Sequence, residues 1–126
     1  MTGERILVVE DNEKNMKLFR DVLVATGYRT LEATSGNEAV EMASEHAPDL
    51  VLMDIQLPDL DGVQALHRLR AEARTATIPV LALTAQAMHG DRERFLAEGF
   101  DGYLSKPVDV RELIATVRAH CDRLAG

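Results

Sequence analysis

The chain of 126 residues has one cysteine, Cys121, no tryptophan, two tyrosines and three phenylalanines. A lone thiol excludes an intramolecular disulfide framework and a cysteine-based metal knuckle, and makes a reducing compartment the expected setting. Without tryptophan, few rings are available to stack on a flavin. Basic residues are also scarce: 14 Lys and Arg stand against 21 Asp and Glu, giving a net charge of −7. With no clustered run of Lys and Arg, neither a nucleic acid nor a membrane is the expected partner. No apolar run approaches the roughly 20 residues that cross a bilayer, and the first apolar segment, 6–9, is too short for a signal core. The expectation is a cytoplasmic protein with a single domain, 1–126.

What is present is an alternation. Short apolar runs at 5–10, 28–33, 49–53, 79–83 and 102–104 read as strands, and the first, third and fourth lack polar alternation, as strands buried on both faces do. Helical spacing fills the intervals. Met16, Phe19, Val22 and Leu23 share a face of the first helix, which Gly27 closes. Ser35 with Glu38 forms a capping box for the second, which Pro48 follows. Leu66 and Leu69 mark the third, and Phe95 and Leu96 the fourth before Gly99. Asp109 with Glu112 caps a fifth that carries Leu113, Ile114 and Val117. Five βα units in succession predict an α/β fold, a doubly wound five-stranded parallel sheet in a flavodoxin-like three-layer sandwich, because parallel neighbours require helical crossovers.

In such a sheet a ligand lies at the carboxyl ends of the strands. The first strand ends in Glu10 and Asp11, the third in Asp54 and the fourth in Thr84, and the fifth runs into Ser105, Lys106 and Pro107. Each has an ordinary role when taken alone. An Asp after a strand forms turns or caps helices, and Asp11, Asn12 or Glu13 can each cap the first helix; Thr84 can bond to backbone and Lys106 can be solvated. Together they place three carboxylates, a hydroxyl and an ammonium at one edge. Three adjacent carboxylates repel one another unless a cation relieves them. An oxygen-only ligand set favours Mg2+, with Mn2+ an acceptable substitute, and Lys106 and Thr84 would then serve an incoming phosphate.

The segments ILVVEDN (6–12), DLVLMDIQLPDLDG (49–62), VLALTA (80–85) and GYLSKP (102–107) resemble the receiver domain of two-component response regulators, the CheY-like superfamily, over essentially the whole chain. The resemblance implies that Asp54 is the phosphoacceptor, Asp11 a direct Mg2+ ligand, Glu10 a ligand through water and the Gln56 carbonyl a further ligand. It implies that Lys106 contacts the phosphoryl oxygens, that Thr84 is the switch hydroxyl and Tyr103 the switch aromatic, and that the Lys106–Pro107 peptide is cis. Gln56 and Gln86 stand where the family gates loss of the phosphoryl group. The acidic pair is Glu-Asp in place of Asp-Asp.

The same resemblance implies a stand-alone regulator with no output module, which is not an enzyme beyond its own phosphotransfer and slow autodephosphorylation. It would meet a sensor histidine kinase or histidine phosphotransferase through the first helix. It would meet a downstream protein through the fourth helix, fifth strand and fifth helix, as a monomer or a weak phosphorylation-dependent homodimer. The pattern EDNxxNxxL over 10–18 is similar to cell-division regulators of the DivK type and to receivers of hybrid kinases. A phosphatase of the haloacid-dehalogenase type also uses Asp, Mg2+ and Lys, but needs a second Asp at position 56, where this chain has Gln56. A flavodoxin-like carrier lacks its phosphate loop here. His46, His67, His89 and His120 read as surface helix positions, Cys121 as a packing residue and Met16, Met42 and Met53 as core fillers, with Met88 near the output face.

Overall fold

The computed structural model describes residues 3–85 and 90–125, with side chains described as far as Cys121 in the last helix. The elements alternate as β1 (Arg5–Val9), α1 (Glu13–Thr26), β2 (Arg29–Ala33), α2 (Gly36–His46), β3 (Leu50–Asp54), α3 (Gly62–Ala71), β4 (Val80–Thr84), α4 (Asp91–Glu98), β5 (Gly102–Ser105) and α5 (Val110–Ala125). The strands form one sheet in the order β2-β1-β3-β4-β5, parallel at every pairing.

Strand side chains alternate between faces, so each apolar run feeds two cores. Leu7, Val9, Val51, Met53, Val80 and Ala82 pack on one face with Ala39, Ala43, Leu66, Leu69 and Phe95 of α2, α3 and α4. Ile6, Val8, Leu50, Leu52, Leu81 and Leu83 pack on the other with Phe19, Leu23, Leu113 and Val117 of α1 and α5. This double burial is why β1, β3 and β4 show no polar alternation. Cys121 is buried in the second core, as are Met16 and Met53 in their respective clusters.

The helix ends are locally specified. Asn12 caps α1 by accepting the Asn15 N–H at 3.0 Å, which leaves Asp11 without that task. Gly27 closes α1 at φ 106°, a left-handed conformation that favours glycine. Ser35 accepts the Glu38 N–H, but the returning Glu38 carboxylate takes the Thr34 N–H at 2.7 Å in place of Ser35's, so the expected box is displaced by one residue. Asp61 and Gln64 form a reciprocal box on α3, and Asp109 accepts amides of Arg111 and Glu112 at the start of α5.

Other expectations shift as well, and β1 ends at Val9, one residue short of the expected run. Asp54, Thr84 and Ser105 are the last residues of their strands, because Ile55 N–H bonds to Leu83 O and Lys106 N–H to Thr84 O, extending the ladder by a residue. Leu96 is 39% exposed, since the eight-residue α4 turns Phe95 alone of that pair onto the sheet. Among the described residues no helix is long and apolar enough to cross a membrane.

Candidate functional site

β1 is flanked by β2 on one side and β3 on the other, so the chain reverses its winding direction between β1 and β3. A crevice opens at the carboxyl ends of strands at such a switch point. Glu10 leaves β1 there, its backbone N–H still bonded to Ala33 O at 3.0 Å, and its side chain is 1% exposed. Asp54 closes β3 and is 4% exposed, whereas Asp11 is solvent-exposed. One carboxylate oxygen from each of Glu10, Asp11 and Asp54 lies within 4.8 Å of the others.

Lys106 enters from the far side of the crevice. Its backbone N–H donates to Thr84 O at 2.7 Å, and its peptide bond to Pro107 is cis. The ammonium donates to Asp54 Oδ2 at 2.9 Å and lies 2.7 Å from Glu10 Oε1, at an angle that leaves this buried oxygen without a hydrogen bond. The remaining oxygens have backbone donors. Asp54 Oδ1 accepts the Gln56 N–H at 2.9 Å and Glu10 Oε2 the Asn12 N–H at 3.2 Å.

Three carboxylates therefore face one ammonium. Burial pushes the Glu10 carboxyl above its ordinary value; the neighbouring Asp54 adds to this rise and the Lys106 ammonium opposes it. For Lys106, burial works against the charge, but the close carboxylates of Glu10 and Asp54 outweigh it and raise the ammonium's pKa. The crevice thus carries surplus negative charge, an all-oxygen donor set and a buried carboxylate oxygen lacking a hydrogen bond. Such a set fits a hard divalent cation that shares its shell with water or phosphate oxygens.

The structure brings Glu10, Asp11, Asp54 and Lys106 together, with Thr84 buried one strand away and paired in register with Ser105. The Tyr103 ring is half-buried on the opposite side of β5 from Leu104, 6.1 Å from the Phe95 ring. Gln86, Met88 and His89 lie outside the described residues. The other histidines stand apart from the crevice: His67 pairs with Glu98 at 3.0 Å, and His120 Nδ1 lies 2.9 Å from Thr116 O. His46 is half-buried at the end of α2.

Near the site, one residue was only one of three candidates in the sequence and another was not singled out there. Asn12 both caps α1 and gives its own N–H to Glu10, a role that local sequence permits but does not single out. Asp59, in the loop after β3, spans to the start of α2 through bonds to Gly36 and Asn37.

The family model for the response regulator receiver domain matches residues 6–118. The polar-differentiation response regulator DivK of Brucella ovis is 48% identical over 115 residues, covering 91% of this chain and 94% of that protein. Among solved structures, the receiver domain of a sensor histidine kinase from Pseudomonas aeruginosa, described with a magnesium ion coordinated in its active-site cleft, has a TM-score of 0.88 at 38% identity, covering 96% of this chain and 99% of that one. A putative response regulator from Chloroflexus aurantiacus has a TM-score of 0.90 at 30% identity, covering 96% of this chain and 99% of that one. Fold, crevice and relatives agree, and the chain belongs to the response regulator receiver family.

Proposed function

We propose that this receiver takes a phosphoryl group on Asp54 from a phosphohistidine and passes the signal on by contact with another protein. The observation that carries this reading is the Lys106 ammonium, 2.9 Å from Asp54 and 2.7 Å from Glu10 at the switch point of the sheet. Asp11, Asp54 and the Gln56 carbonyl would hold Mg2+ or Mn2+, with Glu10 acting through water. When bound, the ion supplies charge neutralisation to the phosphoryl oxygens.

The chain's own residues do the rest. A carboxylate oxygen of Asp54 attacks phosphorus, the P–N bond breaks, and the imidazole leaves with the electron pair. The product is an aspartyl phosphate. The Lys106 ammonium, already directed at Asp54, stays to neutralise the transferred group, so little reorganisation is needed during transfer. Burial of Glu10 and Asp54 keeps the dielectric low, which strengthens the attraction.

Thr84 and Tyr103 complete the switch in this reading. A phosphoryl group near Asp54 would recruit the Thr84 hydroxyl and Lys106, and movement at β4 would be relayed to Tyr103, whose ring rests against Phe95 of α4. Shifting a two-state equilibrium from 1:99 to 99:1 takes about 5.5 kcal/mol, within reach of several charge-assisted hydrogen bonds of roughly 1.5–3 kcal/mol each. The output face is then α4, β5 and α5, in a monomer or a weak phosphorylation-dependent homodimer. The chain works as a signalling protein with slow autodephosphorylation, gated by Gln56 and Gln86.

The input face is α1. A groove of about 400 Å³ lined by Leu18, Phe19, Lys106, Pro107 and Val108 runs beside the crevice, and Leu18 is 41% exposed on it. An apolar surface adjoining the acceptor suits the helical bundle of a histidine kinase or phosphotransferase. A haloacid-dehalogenase-type phosphatase is disfavoured because Gln56 supplies no acid. Acetyl phosphate with Mg2+ tests the reading: wild type gains one phosphoryl group and Asp54→Ala none. Equal labelling of the variant would move the acceptor elsewhere.

A further inference from the structure

The loop after β3 leaves the sheet at Ile55 and returns at Gly62, whose N–H donates to Ile55 O at 2.8 Å. That bond closes the base of the loop. Gln56, Pro58 and Asp59 are exposed beyond it. At the far end Asp59 reaches across to another element: Oδ1 accepts the Gly36 N–H at 2.7 Å and Oδ2 the Asn37 N–H at 2.9 Å. These are the first two amides of α2, which have no carbonyl partner within their own helix, and a carboxylate there is favoured by the helix dipole.

The work at this helix end is divided. Ser35 serves the Glu38 amide at 3.1 Å from within the β2–α2 connection, while Asp59 serves Gly36 and Asn37 from the loop after β3. Packing reinforces the tie, since a Cβ at Gly36 would stand 2.7 Å from Leu60 Cβ. The Asn37 and Gly36 amides hold the Asp59 carboxyl below its ordinary value against partial desolvation, so the tie is charged at neutral pH. Asp59 is absent from the acidic cluster of Glu10, Asp11 and Asp54, and α2 absorbs its charge.

Gln56 stands three residues before Asp59 on the same loop. A backbone carbonyl that ligates an ion must be held in place, and any ordering left until binding weakens the affinity. We propose that Asp59 is a positioning residue: by bridging the first two amides of α2 it holds the loop that carries the Gln56 carbonyl, and so tightens binding of the divalent cation at Glu10, Asp11 and Asp54. This rests on the reading that Gln56 contributes to the metal shell.

The test is Mg2+ titration calorimetry on four full-length proteins: wild type, Asp59→Ala, Asp59→Asn and Ser35→Ala. Asp59→Ala binds Mg2+ about tenfold more weakly, in line with other supporting-shell substitutions, and Asp59→Asn, which keeps one acceptor, falls between. Ser35→Ala removes a cap from the same helix end without touching the loop, so it lowers Tm by a few degrees at wild-type affinity. Asp59→Asn reports even if Asp59→Ala does not fold. Wild-type affinity in the Asp59 variants overturns the proposal, and so does an equal loss in Ser35→Ala, which would trace the effect to α2 itself. If wild type binds no Mg2+, the metal reading fails first and this inference with it.

Discussion

At the scale of single residues, the crevice balances charges that oppose one another. Glu10 is buried almost completely beside Asp54, with Lys106 as the compensating cation. Its folded-state pKa is raised above 4.5, by burial first, so in the metal-free protein the native state holds this proton more tightly than the unfolded chain does. The associated stability is present below pH 4.5 and is lost as pH rises through the folded pKa. Urea unfolding of wild type and Glu10→Gln from pH 4.5 upward isolates the term: wild type loses stability relative to the variant as pH rises. Parallel curves would contradict the assignment.

Glu10, Asp54 and Lys106 were legible in sequence because each adjoins a strand end, and topology alone brings three such ends together. Asp59 was not, because its partner Gly36 lies 23 residues away and the turn-rich LPDLDG run offers an acid two residues later that caps its own helix.

At the scale of elements, the loop after β3 depends on glycine at its return. A Cβ at Gly62 would lie 2.7 Å from Asp54 O and 2.9 Å from Ile55 Cα, both backbone atoms that cannot swing aside. Gly62→Ala should therefore cost about 1–3 kcal/mol by overpacking, read as a lower urea midpoint, and should also disturb the acceptor strand. An unchanged midpoint would show that the loop yields freely. Capping of α1 makes a second case: Asn12→Ala removes one side-chain cap and should cost about 1 kcal/mol, measured the same way.

The helices with three or more apolar residues at helical spacing, α1 and α5, were readable from that spacing, and so were the strands buried on both faces. Boundaries were less so. A strand's last residue is decided by whether the next amide finds a neighbour's carbonyl, as Ile55 does at Leu83, and local pattern does not encode that. The short α4 carries too few apolar residues for its pattern to say which one turns inward, and Leu96 turned out.

At the scale of the molecule, the net charge of −7 is partly gathered at the switch point of the sheet, where mutual repulsion opposes folding unless a cation relieves it. If Mg2+ binds there and to the native state only, linkage requires that it stabilise that state, by about 2.7 kcal/mol at a hundredfold excess over Kd. A Tm rise with millimolar Mg2+, reduced in Asp11→Asn, is the expected outcome. No rise, or an equal rise in the variant, would remove the cation from the crevice.

In the proposed function Asp54 itself takes the phosphoryl group. After treatment with acetyl phosphate and Mg2+, borohydride reduces an aspartyl phosphate to homoserine, and peptide mass spectrometry locates the product. Homoserine at position 54 and nowhere else is the predicted result. Homoserine at another acidic residue, or a phosphoryl group on the folded protein that borohydride leaves untouched, would contradict it.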